Sequence, residues 1–246
     1  ILITGGAGSI GSKLYKKLIL NYDRSNITIV DNLWRGKLDY LYEANKPLID
    51  LKNNFFKLDL TNYENCVEVT NNIDLVIHLA DIVSGINFVF ENEPFVFRQN
   101  ILINSNILSA SIYNKVSKLL YVGTACSYPL EKQSKLNPPP FREEDAYPAN
   151  PESSYGWSKL MGEYECELAQ KEGKITVSIL RFHNVYGPLS EMSPERSQVI
   201  PALCRKAIRY PLEEFVVWGT GNQRRAFLYV DDAVDAIMAA LDRGMG

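Results

Sequence analysis

Histidine and cysteine are scarce in this chain, with two of the first, His78 and His183, and four of the second, Cys66, Cys126, Cys166 and Cys204, among 246 residues. The cysteines are scattered, without the paired spacing of zinc sites, so no metal is expected and a reducing, cytoplasmic setting is the simplest reading. No run of about 18 apolar residues occurs, and no charged, apolar, small-residue leader opens the chain, so neither a membrane span nor a secretion signal is expected. A surplus of basic charge is missing too. Lys and Arg number 26 against 29 Asp and Glu, a formal net charge of −3 with the signs interspersed, which offers no cationic stripe to a nucleic acid. The length suffices to bury a large core, as one large or two modest domains.

What is present alternates between strand and helix patterns. Ile1-Leu2-Ile3 ends an apolar strand, Thr4-Gly5-Gly6-Ala7-Gly8-Ser9-Ile10-Gly11 follows, and Leu14, Leu18 and Ile19 then fall at helical spacing. Strands are expected at Ile27–Val30, Phe55–Leu58, Ile73–Ala80, Leu119–Gly123 and Ile175–Leu180, and helices at 63–71, 94–113 and 152–172. Ile73–Ala80 is almost continuously apolar, as in a strand covered on both faces. Strands separated by helices imply parallel pairing with crossover connections. Pro138-Pro139-Pro140, Pro148 and Pro151 break the pattern, so 129–151 reads as a long loop. In the last third, 201–208 and the segment opened by Asp231-Asp232 read as helices, and Phe215–Trp218 and Phe227–Val230 as strands. The expected fold is a Rossmann-like, doubly wound parallel sheet. Residues 1–186 form its NAD-binding part and 187–246 a smaller substrate-binding region interleaved with the last Rossmann elements. The chain starts without methionine inside a strand and stops at Gly246, which suggests a trimmed fragment.

The glycine turn has a chemical purpose. Glycines there allow a tight turn, close approach to a pyrophosphate and packing of helix on strand, while free N–H groups at the helix start face the anion. Asp31 ends the next strand, about twenty residues after the last glycine, where an acidic side chain binds ribose hydroxyls and disfavours a 2′-phosphate. NAD is therefore favoured over NADP, with Arg35 keeping the second open; a bare helix cap is the alternative use of Asp31. Tyr155 and Lys159, four apart in Tyr155-Gly156-Trp157-Ser158-Lys159, lie on one helix face. A free phenol titrates near ~10, too high for a base at neutral pH, and a lysine cation held close pulls it down. Ligands of open parallel sheets collect at the carboxyl ends of strands. The glycine loop, Asp59, His78-Leu79-Ala80-Asp81 and Thr124-Ala125-Cys126 all fall there. Thr124 would orient a substrate alcohol and Cys126 would serve as acid or base, the alternative for Cys126 being a buried filler. His78 and His183, set among apolar residues, read as structural.

The glycine loop, Asp31, His78-Leu79-Ala80, Asn100, Tyr155 with Lys159, and Arg181-Phe182-His183-Asn184-Val185-Tyr186-Gly187-Pro188 together resemble the extended short-chain dehydrogenase/reductase family of nucleotide-sugar enzymes, over essentially the whole chain. Within it, Ala125–Pro129, Arg181–Pro188 and Cys204-Arg205-Lys206 most resemble the GDP-mannose 3,5-epimerases, with the GDP-L-fucose synthases next. The resemblance implies NAD at Gly5, Gly8, Ser9, Ile10 and Gly11, at Asp31 and Asn32, at Asp59 and Leu60, at Leu79 and Ala80, and at Asn100. It makes Tyr155 the base that removes the C4 hydroxyl proton, with Lys159 lowering its pKa and holding the nicotinamide ribose. Gly85, Thr124 and Gln198 fall to the sugar, and Asn184, Lys206 and Arg225 to the nucleotide diphosphate. The helices near 94–113 and 152–172 resemble those through which relatives form homodimers.

Three departures shape the expectation. Gln198 stands where relatives carry a lysine or histidine that partners the cysteine, and an amide exchanges no proton near neutral pH. Asp81-Ile82-Val83-Ser84-Gly85-Ile86 replaces a double-glycine run. Ala125 and Cys126 also lack the acidity of the related dehydratases, which argues against dehydration. The expected activity is NAD-dependent oxidation at C4 of a nucleotide-diphosphate sugar, a GDP-linked manno-type sugar by resemblance, as a 4-dehydrogenase or with transient oxidation. A 3,5-epimerase is the alternative, and an NAD-binding sensor or scaffold without catalysis a third reading.

Overall fold

The computed structural model describes residues 1–134, 137–222 and 224–243. Along the chain run β1 (Leu2–Thr4), α1 (Ser9–Leu18), β2 (Thr28–Val30), a two-residue hairpin of β3 (Tyr42–Glu43) and β4 (Lys46–Pro47), β5 (Phe55–Phe56), α2 (Tyr63–Thr70), β6 (Leu75–His78), α3 (Ile86–Glu91) and α4 (Glu93–Tyr113). Then come β7 (Lys118–Thr124), α5 (Leu130–Gln133), α6 (Ser154–Lys171), β8 (Thr176–Phe182), β9 (Asn184–Tyr186), α7 (Val199–Arg209), β10 (Phe227–Tyr229) and α8 (Val230–Asp242). The main sheet is ordered β5-β2-β1-β6-β7-β8, and every pairing in it is parallel.

Neighbouring residues of each strand face opposite layers, as a two-residue period requires. Leu2, Val30, Val76 and Tyr121 pack with Ile103 and Ile107 of α4 on one face. Ile3, Ile29, Ile77 and Leu120 pack with Leu14 of α1 and Val234 and Ile237 of α8 on the other. Each such buried aliphatic side chain stabilises by about 1.5–3 kcal/mol, so both layers are needed and the sheet is doubly wound.

Register places the strand ends. Thr4 lies level with Val30 and His78, and His78 with Tyr121, whereas β7 continues to Thr124 beside Phe182. Three residues beyond Tyr121 amount to about 10 Å at strand rise, so Thr124 stands well past the rim where the glycine loop turns.

The β3–β4 hairpin, α3 and β9 are not among the expected elements, β5 and β6 are shorter than expected, and two further segments differ in kind. Among the described residues Phe215–Trp218 pairs with no strand, and all four side chains are exposed; an apolar run without a partner strand has no ladder to join. The loop over 129–151, two residues of which lie outside those described, is less irregular than its prolines suggest. It holds the single turn of α5 and a 3₁₀ turn at 143–146, and Leu130 N–H bonds the Asn150 carbonyl at 2.8 Å, bringing its ends together.

Candidate active site

The carboxyl ends of β1, β2, β6 and β7 open on one cavity of about 1240 Å³, bordered by the glycine loop on one side and by Val216–Trp218 and Arg224–Ala226 on the other. Gly5 has φ +66°, and a Cβ there would stand 2.9 Å from the Ala80 nitrogen. A Cβ on Gly11 would stand 2.5 Å from the Gly5 carbonyl oxygen. Glycine at 5 thus lets the loop cross β6, and glycine at 11 lets α1 start against the turn. Gly8 precedes α1 with no side chain capping the helix, which leaves donors for an anion.

Polar contacts hold this rim. The Thr4 hydroxyl oxygen accepts from Leu79 N and Ala80 N, each at 3.1 Å, and lies 2.8 Å from His78 Nδ1. His78 Nε2 reaches Asn104 Oδ1 at 3.0 Å. Burial, then the nearby Lys159 cation, press the His78 pKa down to about 3, so the ring is neutral at neutral pH and tethers β1, β6 and α4. Asp31 accepts from Ala7 N at 3.0 Å and Leu33 N at 2.8 Å; burial raises its pKa while those two donors oppose the rise. Each carboxylate oxygen keeps acceptor capacity for a hydroxyl.

Tyr155 and Lys159 leave the first turns of α6, whose start is capped by the Ser153 hydroxyl accepting from Gly156 N at 3.2 Å. Position 156 must be small, because a Cβ would lie 2.3 Å from the Cys126 carbonyl oxygen. That contact brings Tyr155 beside the Thr124–Cys126 turn. The Tyr155 hydroxyl donates to Asp81 Oδ2 at 3.0 Å, and Lys159 Nζ, itself buried, lies 3.5 Å from the same oxygen and 4.5 Å from the Tyr121 ring centre. The lowering expected from the Lys159 cation is opposed by two influences. Burial, then the Asp81 carboxylate, hold the phenol well above its ordinary value, and the nearest anion to the ammonium is Asp81.

Thr124 accepts from Cys126 N at 3.2 Å. Burial raises the Cys126 thiol pKa, against the hydrogen bond from Thr124, so the group is a thiol rather than a thiolate. Gly85 N–H bonds the Arg196 carbonyl at 3.1 Å, next to the segment that brings Gln198 to the cavity wall. At the far end, Lys206 donates to the Val216 carbonyl at 2.7 Å and lies 5.6 Å from the Trp218 ring centre. Arg225 donates to the Arg224 carbonyl at 2.8 Å, and Asn184 to the Ala226 carbonyl at 3.3 Å.

Most of the expected site residues border this one cavity: the five of the glycine loop, Asp31, Asn32, Leu60, Leu79, Ala80, Gly85, Thr124, Cys126, Tyr155, Asn184, Gln198, Lys206 and Arg225. Three do not. Asp59 is exposed and accepts from Thr61 N and Oγ1 in a turn. Asn100 is buried and clamps both backbone groups of Ile82. Lys159 stands behind Tyr155. Asp81, expected only as a strand-end residue, and Arg35, expected only to keep NADP open, also border the cavity. Arg35 donates to the Val83 carbonyl at 2.9 Å, so its guanidinium is turned toward the Asp81 loop.

The sequence profile of the NAD dependent epimerase/dehydratase family matches residues 1–245. The chain belongs to that family. GDP-mannose 3,5-epimerase 1 of Oryza sativa subsp. indica is 33% identical over 97% of this chain and 60% of its own length. GDP-L-fucose synthase 1 of Arabidopsis thaliana is 36% identical over 100% of this chain and 70% of its own. Among solved structures, the UDP-glucose 4-epimerase of Thermotoga maritima with UDP-glucose superposes at a TM-score of 0.81, with 28% identity, over 100% of this chain and 74% of that one. The chain thus spans about three fifths of the length of the GDP-mannose 3,5-epimerase it matches. NAD is the cofactor of the family, and the observed rim suits it. Backbone close approach at Gly5 and Gly11, an uncapped helix start and a carboxylate at the end of β2 fit a pyrophosphate and a ribose diol. Among the described residues no cluster of three or more His, Cys, Asp or Glu side chains could hold a metal, and no helix is long and apolar enough to cross a membrane.

Proposed function

We propose that this chain oxidises the C4 hydroxyl of a nucleotide-diphosphate sugar, a GDP-linked manno-type sugar, and either releases the 4-keto sugar or oxidises C4 only transiently. The observation that carries this reading is the Tyr155 hydroxyl at the wall of a cavity that also takes in the glycine loop and, at its other end, Lys206 and Arg225. Bound NAD supplies the hydride acceptor at C4. The glycine loop and Asp31 would hold it, Tyr155 would handle the hydroxyl proton, and Thr124 would orient the alcohol. Lys206, Arg225 and Asn184 would take the diphosphate, for which guanidinium and ammonium groups are chemically suited. The division at 186/187 into cofactor and substrate regions follows the same reading.

Gln198 supports oxidation without inversion at C3 or C5, since its amide supplies no second acid or base. A second reading has one specific support, the likeness to the UDP-glucose 4-epimerase structure. Inversion at C4 itself needs only that hydride return to the other face, which an amide at 198 does not prevent. Incubation with NAD and GDP-mannose in deuterated water separates these outcomes. Accumulating ketone without deuterium at C3 or C5 supports the dehydrogenase, and deuterium there supports a 3,5-epimerase. Turnover of UDP-glucose but not GDP-mannose would refute the assignment of the base.

The reading also includes a cytoplasmic homodimer. Trp157, Met161, Tyr164 and Leu168 form an exposed stripe along α6, and Phe95 and Leu102 are exposed on the neighbouring α4. Replacing Met161 by Glu is expected to turn a dimer into a monomer in sedimentation velocity without loss of fold.

A further inference from the structure

We propose that Asp81 completes a proton relay, in which the substrate hydroxyl gives its proton to the Tyr155 oxygen while the phenol passes its own proton to the Asp81 carboxylate. The proposal rests on the C4-oxidation reading above. It follows from three contacts. The phenol is already a donor to Asp81 Oδ2 at 3.0 Å, the Lys159 ammonium stands 3.5 Å from that same oxygen, and Asp81 borders the cavity with only 12% of its side chain exposed. A donating phenol oxygen still has room to accept from an alcohol.

The arrangement removes a difficulty that the Tyr155–Lys159 pair alone does not. A buried phenol beside a carboxylate does not ionise readily at neutral pH. Proton transfer to the carboxylate at 3.0 Å avoids a free phenolate altogether. The substrate O–H bond breaks as an O–H bond forms at Tyr155, and the former phenol O–H bond breaks as one forms at Asp81. The C4–H electron pair goes to NAD, the oxidant named above. Alcohol, carboxylate and NAD become ketone, carboxylic acid and NADH, with the net charge unchanged. Lys159 then has a definite task, which is to balance the carboxylate before transfer. Arg35 is a second cation near Asp81 and Tyr155, with Glu191 near Arg35 in turn. Cys126 and Tyr121 also act on the phenol, with Glu152 and Arg225 near Cys126 and Tyr40 near Arg35. Asp81 acts through Tyr155 without touching the sugar and is in that sense a positioning residue.

The test compares the full chain with Asp81→Asn, which keeps the shape and still accepts from the phenol but carries no charge and takes no proton. In carbon NMR of protein with labelled tyrosine rings and no added ligand, the Tyr155 signal is assigned by its loss in Tyr155→Phe. Its titration midpoint is expected to fall by about 1–3 pH units in Asp81→Asn. In rapid mixing of NAD and GDP-mannose, the wild-type rate of NADH formation is expected to be flat between about pH 6 and about pH 9. In Asp81→Asn it should climb about tenfold per pH unit as the phenol itself ionises. A midpoint that stays put in a folded Asp81→Asn, or two pH profiles of the same shape, overturns the relay. Should Asp81→Asn not fold, Asp81→Glu keeps a carboxylate and must keep the flat profile; a sloping one overturns the relay equally. A chain that forms no NADH from either GDP-mannose or UDP-glucose refutes the C4-oxidation reading instead, and the NMR midpoint then decides on its own whether Asp81 governs the phenol.

Discussion

The two ends of the cavity are built differently. Around the glycine loop, polar side chains are buried and tied to distant parts of the chain: Thr4 to Leu79, Ala80 and His78, Asp31 to Ala7, and Asn100 to Ile82. At the far end, Lys206 and Arg225 bond backbone carbonyls within ten residues of themselves, while Val217 and Trp218 are 49% and 63% exposed. Preorganised groups lose little entropy when a ligand arrives, whereas exposed, locally held groups are ordered on binding. The first end is therefore suited to a constant ligand and the second to adjustment between substrates.

Several substitutions would break or sharpen that contrast. Tyr155→Phe removes the proposed proton-handling group at the rigid end, and turnover is expected to fall by about 10²–10⁴-fold with unchanged melting; biological function retained despite that loss would revive a sensor or scaffold role. Gly11→Val drives a side chain into the Gly5 carbonyl and should cost about 1–3 kcal/mol of stability together with NAD affinity, read by melting and by calorimetric titration. The same end should respond to acid. Because the folded state depresses the His78 pKa to about 3 from 6.5, its unfolded form takes up a proton first as pH falls. The stability it contributes is present above about 6.5 and is lost progressively down to about 3, and melting in Gln at position 78 should decline less over that interval. Lys206→Ala, at the adjustable end, should raise KM for GDP-mannose roughly tenfold through a lost charge-assisted contact while leaving kcat and melting nearly unchanged. A large fall in stability there would erase the distinction between the ends.

The parts that could be read beforehand are those whose signal is local. Glycines in a strand–turn–helix segment, the alternation of Leu2 with Ile3 and the four-residue step from Tyr155 to Lys159 depend on neighbours in sequence, and periodicity reports them. Asp81 can be read that way as a strand-end residue, but not as a partner of Tyr155. It lies in an irregular stretch after β6, and its meaning comes from α6, which begins 73 residues later and is turned toward it by the close contact of Gly156 with Cys126. Asn100 matched a resemblance, but only the fold places its amide on the backbone of Ile82. Phe215–Trp218 has the composition of a strand and lacks a neighbour to pair with, a property that no single segment carries.

Gly85 joins the two ends of the cavity, and that junction bears on how such a site changes over generations. Its N–H is bonded to the Arg196 carbonyl, and any side chain at 85 would begin 2.6 Å from the Ser197 carbonyl oxygen. Arg196 in turn donates to the Trp34 carbonyl at 3.3 Å and lies 5.2 Å from that ring's centre. A lineage that reshapes residues 194–198 for another sugar must hold glycine at 85 or move both segments at once. Grafting either stretch alone from a relative is expected to disturb the backbone next to Asp81, so the two form a single structural unit despite their separation in sequence.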